Sequence, residues 1–133
     1  TVMKSLLVAH GRNTGNEFAK QFSNEPGSFM SSLGFFRTAE TYDGKHGLSL
    51  RLDGLEKGIN DLARERAIVI HQADYVSLDF AKEHGRIGRS LGCPALPQQD
   101  YDEVIALIKE GCLMYIYGDD SDYLTHTGLL SYS

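Results

Sequence analysis

The chain has 133 residues, 41% of them hydrophobic and 23% charged, which suits a single domain over residues 1–133 with a real core and excludes a disordered segment. A formal net charge of -5 argues against general affinity for nucleic acid, which needs a surplus of Lys and Arg on one face. No apolar run approaches the roughly 20 residues of a membrane span, and the opening TVMKSLLVAHG begins almost inside its first apolar segment, as it would if a signal or leading segment had been removed.

KSLLVA (residues 4–9) reads as a strand that ends at His10-Gly11. Residues 12–27, with Asn13, Gly15, Asn24, Pro26 and Gly27, read as an irregular surface loop. Residues 34–41 have the β-branched and aromatic content of a strand, residues 42–47 supply a turn, and LSLRL (48–52) alternates apolar with polar at period two. Together they predict an antiparallel hairpin. Residues 60–66 start with an N-capping residue type followed by good helix formers, predicting a short helix before the apolar run 67–70, a central buried strand with His71 at its end. Ser77 is expected to cap a helix that runs through His84 and stops at Gly85. Tyr101, Val104, Ile105 and Ile108 share one helical face, and Gly111 is expected to end that helix before a strand over residues 112–117. The sum is an α+β domain, mostly β, with short helices packed on an antiparallel or mixed sheet.

The loop GRSLGCPALP (88–97) places Cys93 among turn residues, although a structural cysteine usually sits in an apolar run. Gly92 has no side chain to block a substrate, and the amides of Ser90 and Gly92 are expected to point at a bound oxyanion. A thiol attacks a carbonyl only when its pKa is lowered or its proton is taken, and His71 is the best-placed imidazole. The same two residues also fit a packed loop cysteine and a hydrogen-bonded core histidine. Cys112 opens an apolar strand and reads as structural. The two cysteines permit either one disulfide or one reactive and one buried thiol. His10 and His46 lie beside glycines in turns, where they can line a cleft, and His84 lies at a helix end, where a cation is favoured. The absence of CxxC, HExxH or another tight ligand pair argues against zinc, and GRNTG (11–15) lacks the spacing of a phosphate loop.

Several motifs occur together: VAHGRNTG near the start, SSLGFF (31–36), KHGLSLRLDGLEKGIND (45–61), IHQADYVS (70–77) and GRSLGCPALP. In this combination, with His71 followed 93 − 71 = 22 positions later by the cysteine of a Ser-x-Gly-Cys signature, the chain resembles the L,D-transpeptidase catalytic domain family (YkuD type), in its murein L,D-transpeptidase-like branch. The resemblance implies a β-rich sandwich or barrel-like fold with short helices. It makes Cys93 the nucleophile, His71 the histidine that activates it, Ser90 and Gly92 the fixed positions of the signature, and backbone amides near Gly92 and Cys93 the donors to the oxyanion. Leu91 stands where many members have His, Ala95 where many have Arg, and Gln72 where a small turn residue is common. Arg89 is therefore expected to bind a substrate carboxylate in place of the missing Arg, with Gln72, Tyr75 and His46 also around the substrate. The implied protein is a bacterial envelope or periplasmic enzyme, or a secreted one, that needs no cofactor. It would act on peptidoglycan stem tetrapeptides as a transpeptidase, or as an L,D-carboxypeptidase when water is the acceptor. A catalytically idle peptidoglycan-binding domain and a secreted antibacterial effector are the alternatives.

Overall fold

The computed structural model describes residues 2–15, 21–118 and 120–128. Residues 16–20 of the expected surface loop lie outside that range. Among the described residues there are five strands, β1 (Gly34–Gly44), β2 (Gly47–Gly54), β3 (Val69–Gln72), β4 (Ala95–Leu96) and β5 (Leu113–Ile116). Three short helices accompany them: α1 (Leu78–His84), α2 (Tyr101–Ile108) and α3 (Ser121–His126). The strands form one sheet in the order β4-β3-β2-β1-β5, curled into half a barrel. All neighbours are antiparallel except β3 and β4, so the sheet is mixed and the fold is α+β, mostly β.

Period-two alternation gives this sheet two unlike faces. Leu50 and Leu52 of β2, Ile70 of β3, Phe36 of β1 and Leu96 of β4 turn to one side, where Tyr101, Val104 and Ile105 of α2 close the main core over them. Tyr101 fixes α2 to the sheet by directing its hydroxyl at the carbonyls of Leu48 (2.6 Å) and Ile70 (3.2 Å), and burial pushes that phenol up to about 12. The residues in between, Ser49 of β2 and Val69 and His71 of β3, face the opposite side and line a cavity.

The expected hairpin is present, but its turn is tighter than the sequence suggests. β1 continues to Gly44, which pairs with Gly47, so the loop is only Lys45 and His46. Gly47, the residue after the loop, has φ +84, the left-handed conformation of a glycine bulge that closes such a hairpin and that glycine adopts without strain. Ser77 accepts the Phe80 amide and Gly85 closes α1 with φ 81, as expected. α2 ends at Ile108, and Gly111 lies in the following turn, donating to the Thr38 carbonyl at 2.7 Å.

Two expected elements are absent. Residues 4–9 do not form a strand; only Ala9 bridges to Ala95, through N–H···O bonds of 2.9 and 3.2 Å. The available partner, β4, lies between Pro94 and Pro97, which have no amide to extend a ladder. Residues 60–66 form successive turns instead of a helix, with bonds reaching back three, four and five residues, and Ala67 at φ 56 breaks the run.

The reason lies in Asn60. Its fully buried side chain does not cap a helix but donates to the carbonyls of Leu33 (2.9 Å) and Phe35 (3.0 Å) and accepts the Glu56 amide at 2.9 Å. Glu56 then accepts the Phe35 amide (3.0 Å), the Tyr123 hydroxyl (2.9 Å) and the Thr127 hydroxyl, which docks α3 on the start of β1. Replacing Asn60 by Ala leaves the buried Leu33 carbonyl and Glu56 amide without partners and takes one of two donors from the Phe35 carbonyl, which keeps the Leu55 amide. We expect a loss of about 3 kcal/mol in urea unfolding. A loss below about 1 kcal/mol would show that the rest of the network holds these groups without Asn60.

Candidate active site

The cavity on the polar face has a volume of about 670 Å³. Its wall combines the β1–β2 turn (Lys45, His46), the turn before β3 (Arg66, Ala67), β3 itself (Val69, His71), Tyr75, and the loop residues Arg89, Ser90, Leu91 and Cys93. Parallel pairing of His71 with Ala95 draws the cysteine loop alongside β3, and the Val69 amide points at Cys93 Sγ, 3.4 Å away. Sγ also lies 3.5 Å from the Ala67 carbonyl, an acceptor for the thiol proton. Both cysteines are free thiols; Cys112, just before β5, is half-buried and has its sulfur 3.9 Å from the Leu107 carbonyl.

His71 is buried, with 4% of its surface exposed. Its Nδ1 is 2.9 Å from the Gln72 carbonyl, which can only accept, so this nitrogen carries the proton and Nε2 keeps the free lone pair. The exposed His46 ring stacks on it, with centroids 4.3 Å apart and planes inclined by 16°. Burial holds the imidazole below its ordinary value, partly opposed by the Gln72 bond and reinforced by the nearby His46 and Lys45. Burial pushes the Cys93 thiol up, and the Val69 amide and the charges of Arg66 and Lys45 offset part of that rise. Both shifts favour the neutral forms, thiol and imidazole, of two residues that line the same cavity.

The Ser-x-Gly-Cys turn is held from within. Ser90 Oγ donates to the Cys93 carbonyl (2.5 Å) and accepts the Gly92 amide (3.2 Å), while the Ser90 amide donates to the His10 carbonyl (2.9 Å). The expectation that the Ser90 and Gly92 amides point at an oxyanion is thus corrected: the Gly92 amide is taken up within the turn and the Ser90 amide by the N-terminal segment. Among the described residues no acceptor is seen for the Cys93 amide, which leaves it available. Gly92 has φ +123, and a Cβ there would meet Ile68 Cδ1 and the Met30 carbonyl at 3.1 Å each. Gly11 packs just as closely beneath it, with its own Cβ position 3.0 Å from Gly92 Cα.

Of the residues expected from the sequence, Cys93, His71, Ser90, Arg89, Tyr75 and His46 share the cavity wall. Gly92 lies behind that wall, and Gln72 lies outside it, its amide nitrogen 3.4 Å from where a Cβ on Gly47 would be. Arg89 donates to the Arg12 carbonyl at 3.1 Å, tying the N-terminal loop to the site. Sequence reasoning missed Arg66, Lys45 and the Val69 amide. The signal for Arg66 was slight: a charged residue directly abutting the buried run 67–70.

The sequence model of the family described as L,D-transpeptidase catalytic domain (YkuD_2) matches residues 1–117. Searches of curated proteins and of solved structures found no match. The matched region contains all five strands, α1, α2 and every cavity residue, and α3 lies beyond it. The chain belongs to the L,D-transpeptidase catalytic domain family.

Proposed function

We propose that this protein is a cysteine-dependent peptidoglycan L,D-transpeptidase whose nucleophile is Cys93 and whose general base is His71. The observation that carries the reading is the composition of the cavity wall. A thiol and an imidazole with Nε2 left basic share it with Lys45, Arg66 and Arg89, and among the described residues no Asp or Glu lines it, although the chain as a whole is acidic. Such a wall suits a substrate that brings its own carboxylates, as a stem tetrapeptide does at its terminal D-alanine and at a diamino acid. Arg89 and Lys45 would hold those carboxylates, and Tyr75 and His46 would border the peptide.

In the first half-reaction the Cys93 proton moves from the Ala67 carbonyl to His71 Nε2, and the sulfur attacks the carbonyl carbon of the third stem residue. The Cys93 amide is placed to donate to the oxyanion, and the Val69 amide to the thiolate before attack. The C–N bond to D-alanine then breaks, its nitrogen takes the proton from His71, and a thioester remains. An amine of a second stem loses its proton to His71, attacks the thioester and expels the thiolate, giving a crosslink. Water in the same position gives a carboxypeptidase. Ser90 and Gly92 serve by holding the cysteine turn in shape. Peptidoglycan as substrate places the protein outside the cytoplasm, in the bacterial envelope.

Two outcomes test the reading. Incubated with tetrapeptide-containing muropeptides, the wild type releases D-alanine and forms a crosslinked or trimmed product, Cys93→Ala gives neither, and His71→Ala loses at least about 100-fold in rate. A carbapenem adds its mass to the wild type and not to Cys93→Ala; D-alanine release that survives in Cys93→Ala would sink the assignment. The second outcome concerns pH. Because burial lowers His71 and raises Cys93, kcat/KM should fall only as pH drops through a value below about 6.5, where His71 becomes protonated. Alkylation of free Cys93 should instead rise along a curve centred above that of an ordinary thiol. A plateau of rapid alkylation below neutral pH would mean a preformed thiolate–imidazolium pair, contrary to this mechanism.

A further inference from the structure

We infer that Arg66 is the built-in counter-charge for Cys93, a half-buried guanidinium whose own partners are all neutral and which holds the negative sulfur formed when the proton leaves. The inference rests on the reading of Cys93 as the nucleophile and adds a residue that neither the signature nor the family match assigns.

A guanidinium stays charged throughout the accessible pH range, and its partial removal from water is costly unless an anion faces it. Arg64, two residues earlier and on the exposed side, has such partners: it reaches Asp53 at 2.6 Å and Glu40 at 2.8 Å. Arg66 has none among the described residues. Its Nη1 donates to the Ser23 carbonyl (2.9 Å) and Ser32 Oγ (2.8 Å), and its Nη2 to the Met30 carbonyl (2.8 Å) and Ser28 Oγ (3.2 Å). These four bonds fix the guanidinium plane without neutralising it.

The closest approach from the other side is the cysteine turn. A Cβ on Gly92 would lie 3.3 Å from Arg66 Nη2, so glycine is what lets the turn come this close. Cys93 follows directly, and its sulfur has as acceptor the carbonyl of Ala67, the residue after Arg66. Both side chains border the same cavity. The other groups around it are His71 from β3, Lys45 and His46 from the β1–β2 turn, Tyr42 from β1, Tyr75, and Arg89 from the cysteine loop. Lys45 is exposed and screened by water, and Arg89 is held to the Arg12 carbonyl. Arg66 is the cation that is fixed by four neutral partners and packed against the cysteine turn itself. When the S–H bond breaks, the proton goes to His71 Nε2, the electron pair stays on sulfur, and the new charge faces the guanidinium.

The test follows Cys93 alkylation by iodoacetamide against pH, with Cys112 in the same molecule as internal control. In Arg66→Gln the Cys93 curve should move to higher pH by about one unit, seen as an approximately tenfold slower reaction near pH 8.5. Arg66→Lys, which keeps the charge, should restore the rate to within about threefold of wild type. A purely structural role predicts the reverse. A loosened fold would relieve the burial that raises the thiol, and would speed the reaction at both cysteines. An unchanged curve in Arg66→Gln, or equal slowing in the Gln and Lys variants, overturns the inference while leaving a Cys93-dependent activity intact. If Arg66→Gln does not fold, the double variant Lys45→Ala/Arg89→Ala decides. With Arg66 as the remaining cation, Cys93 should still favour anionic iodoacetate over iodoacetamide by at least about threefold relative to Cys112. An equal ratio at the two cysteines would dismiss Arg66 as the source of the field.

Discussion

Parallel pairing between β3 and β4 is the contact from which the site is built. It sets His71 opposite Ala95 and carries the cysteine turn, two positions earlier, to the Val69 amide. Parallel neighbours need a long crossover, supplied here by residues 73–94 with α1 inside them. Pro94 and Pro97 confine the pairing to two residues, so the ladder ends where the turn must begin. On the far side Ala9 bonds to Ala95, and Gly11 bridges to Ser90, so the N-terminal segment backs the loop. A short strand thus holds both ends of the chemistry in register while its outer edge is occupied by the chain's own first residues.

The second organising feature is the distribution of charge. Among the described residues the cavity wall carries cations and histidines and no carboxylate, in a chain of net charge -5, so the local charge opposes the global one. Arg64 illustrates how the fold keeps these apart. It clamps Asp53 and Glu40 on the outer surface, depressing Glu40 to about 2, and so pins the turn segment from which Arg66 reaches inward. Two arginines two positions apart in one turn segment therefore point to opposite places, Arg64 to the outer surface and Arg66 to the cavity.

What could be read from the sequence follows from whether a residue's role is local. The hairpin announced itself through period two in β2, α1 through Ser77 and Gly85, and α2 through its apolar stripe, because each signal and its consequence lie within a few residues. The strand over 4–9 was misread because its partner is shortened by prolines some 90 residues away (94 − 4 = 90). The helix over 60–66 was misread because Asn60 is committed to the carbonyls of Leu33 and Phe35. At the site, cysteine and histidine were legible as a motif and meet on one wall. That the Ser90 and Gly92 amides are already engaged was not, since it depends on Ser90 folding back on its own turn and on the His10 carbonyl, and the place of Arg66 was not, since it depends on a glycine 92 − 66 = 26 positions later.

The burial of Cys93, with its sulfur 3.5 Å from the Ala67 carbonyl, bears on how the thiol meets oxidants. Peroxides and exogenous disulfides react with thiolates, and a thiol kept protonated by burial, with its hydrogen facing the Ala67 carbonyl, offers them little. Cys112, which lies against the Leu107 carbonyl on another part of the molecule, does not serve as a resolving partner in this arrangement. On the proposed mechanism, latency is then the protection against oxidation, because the thiolate would form only when a substrate is bound and His71 takes the proton.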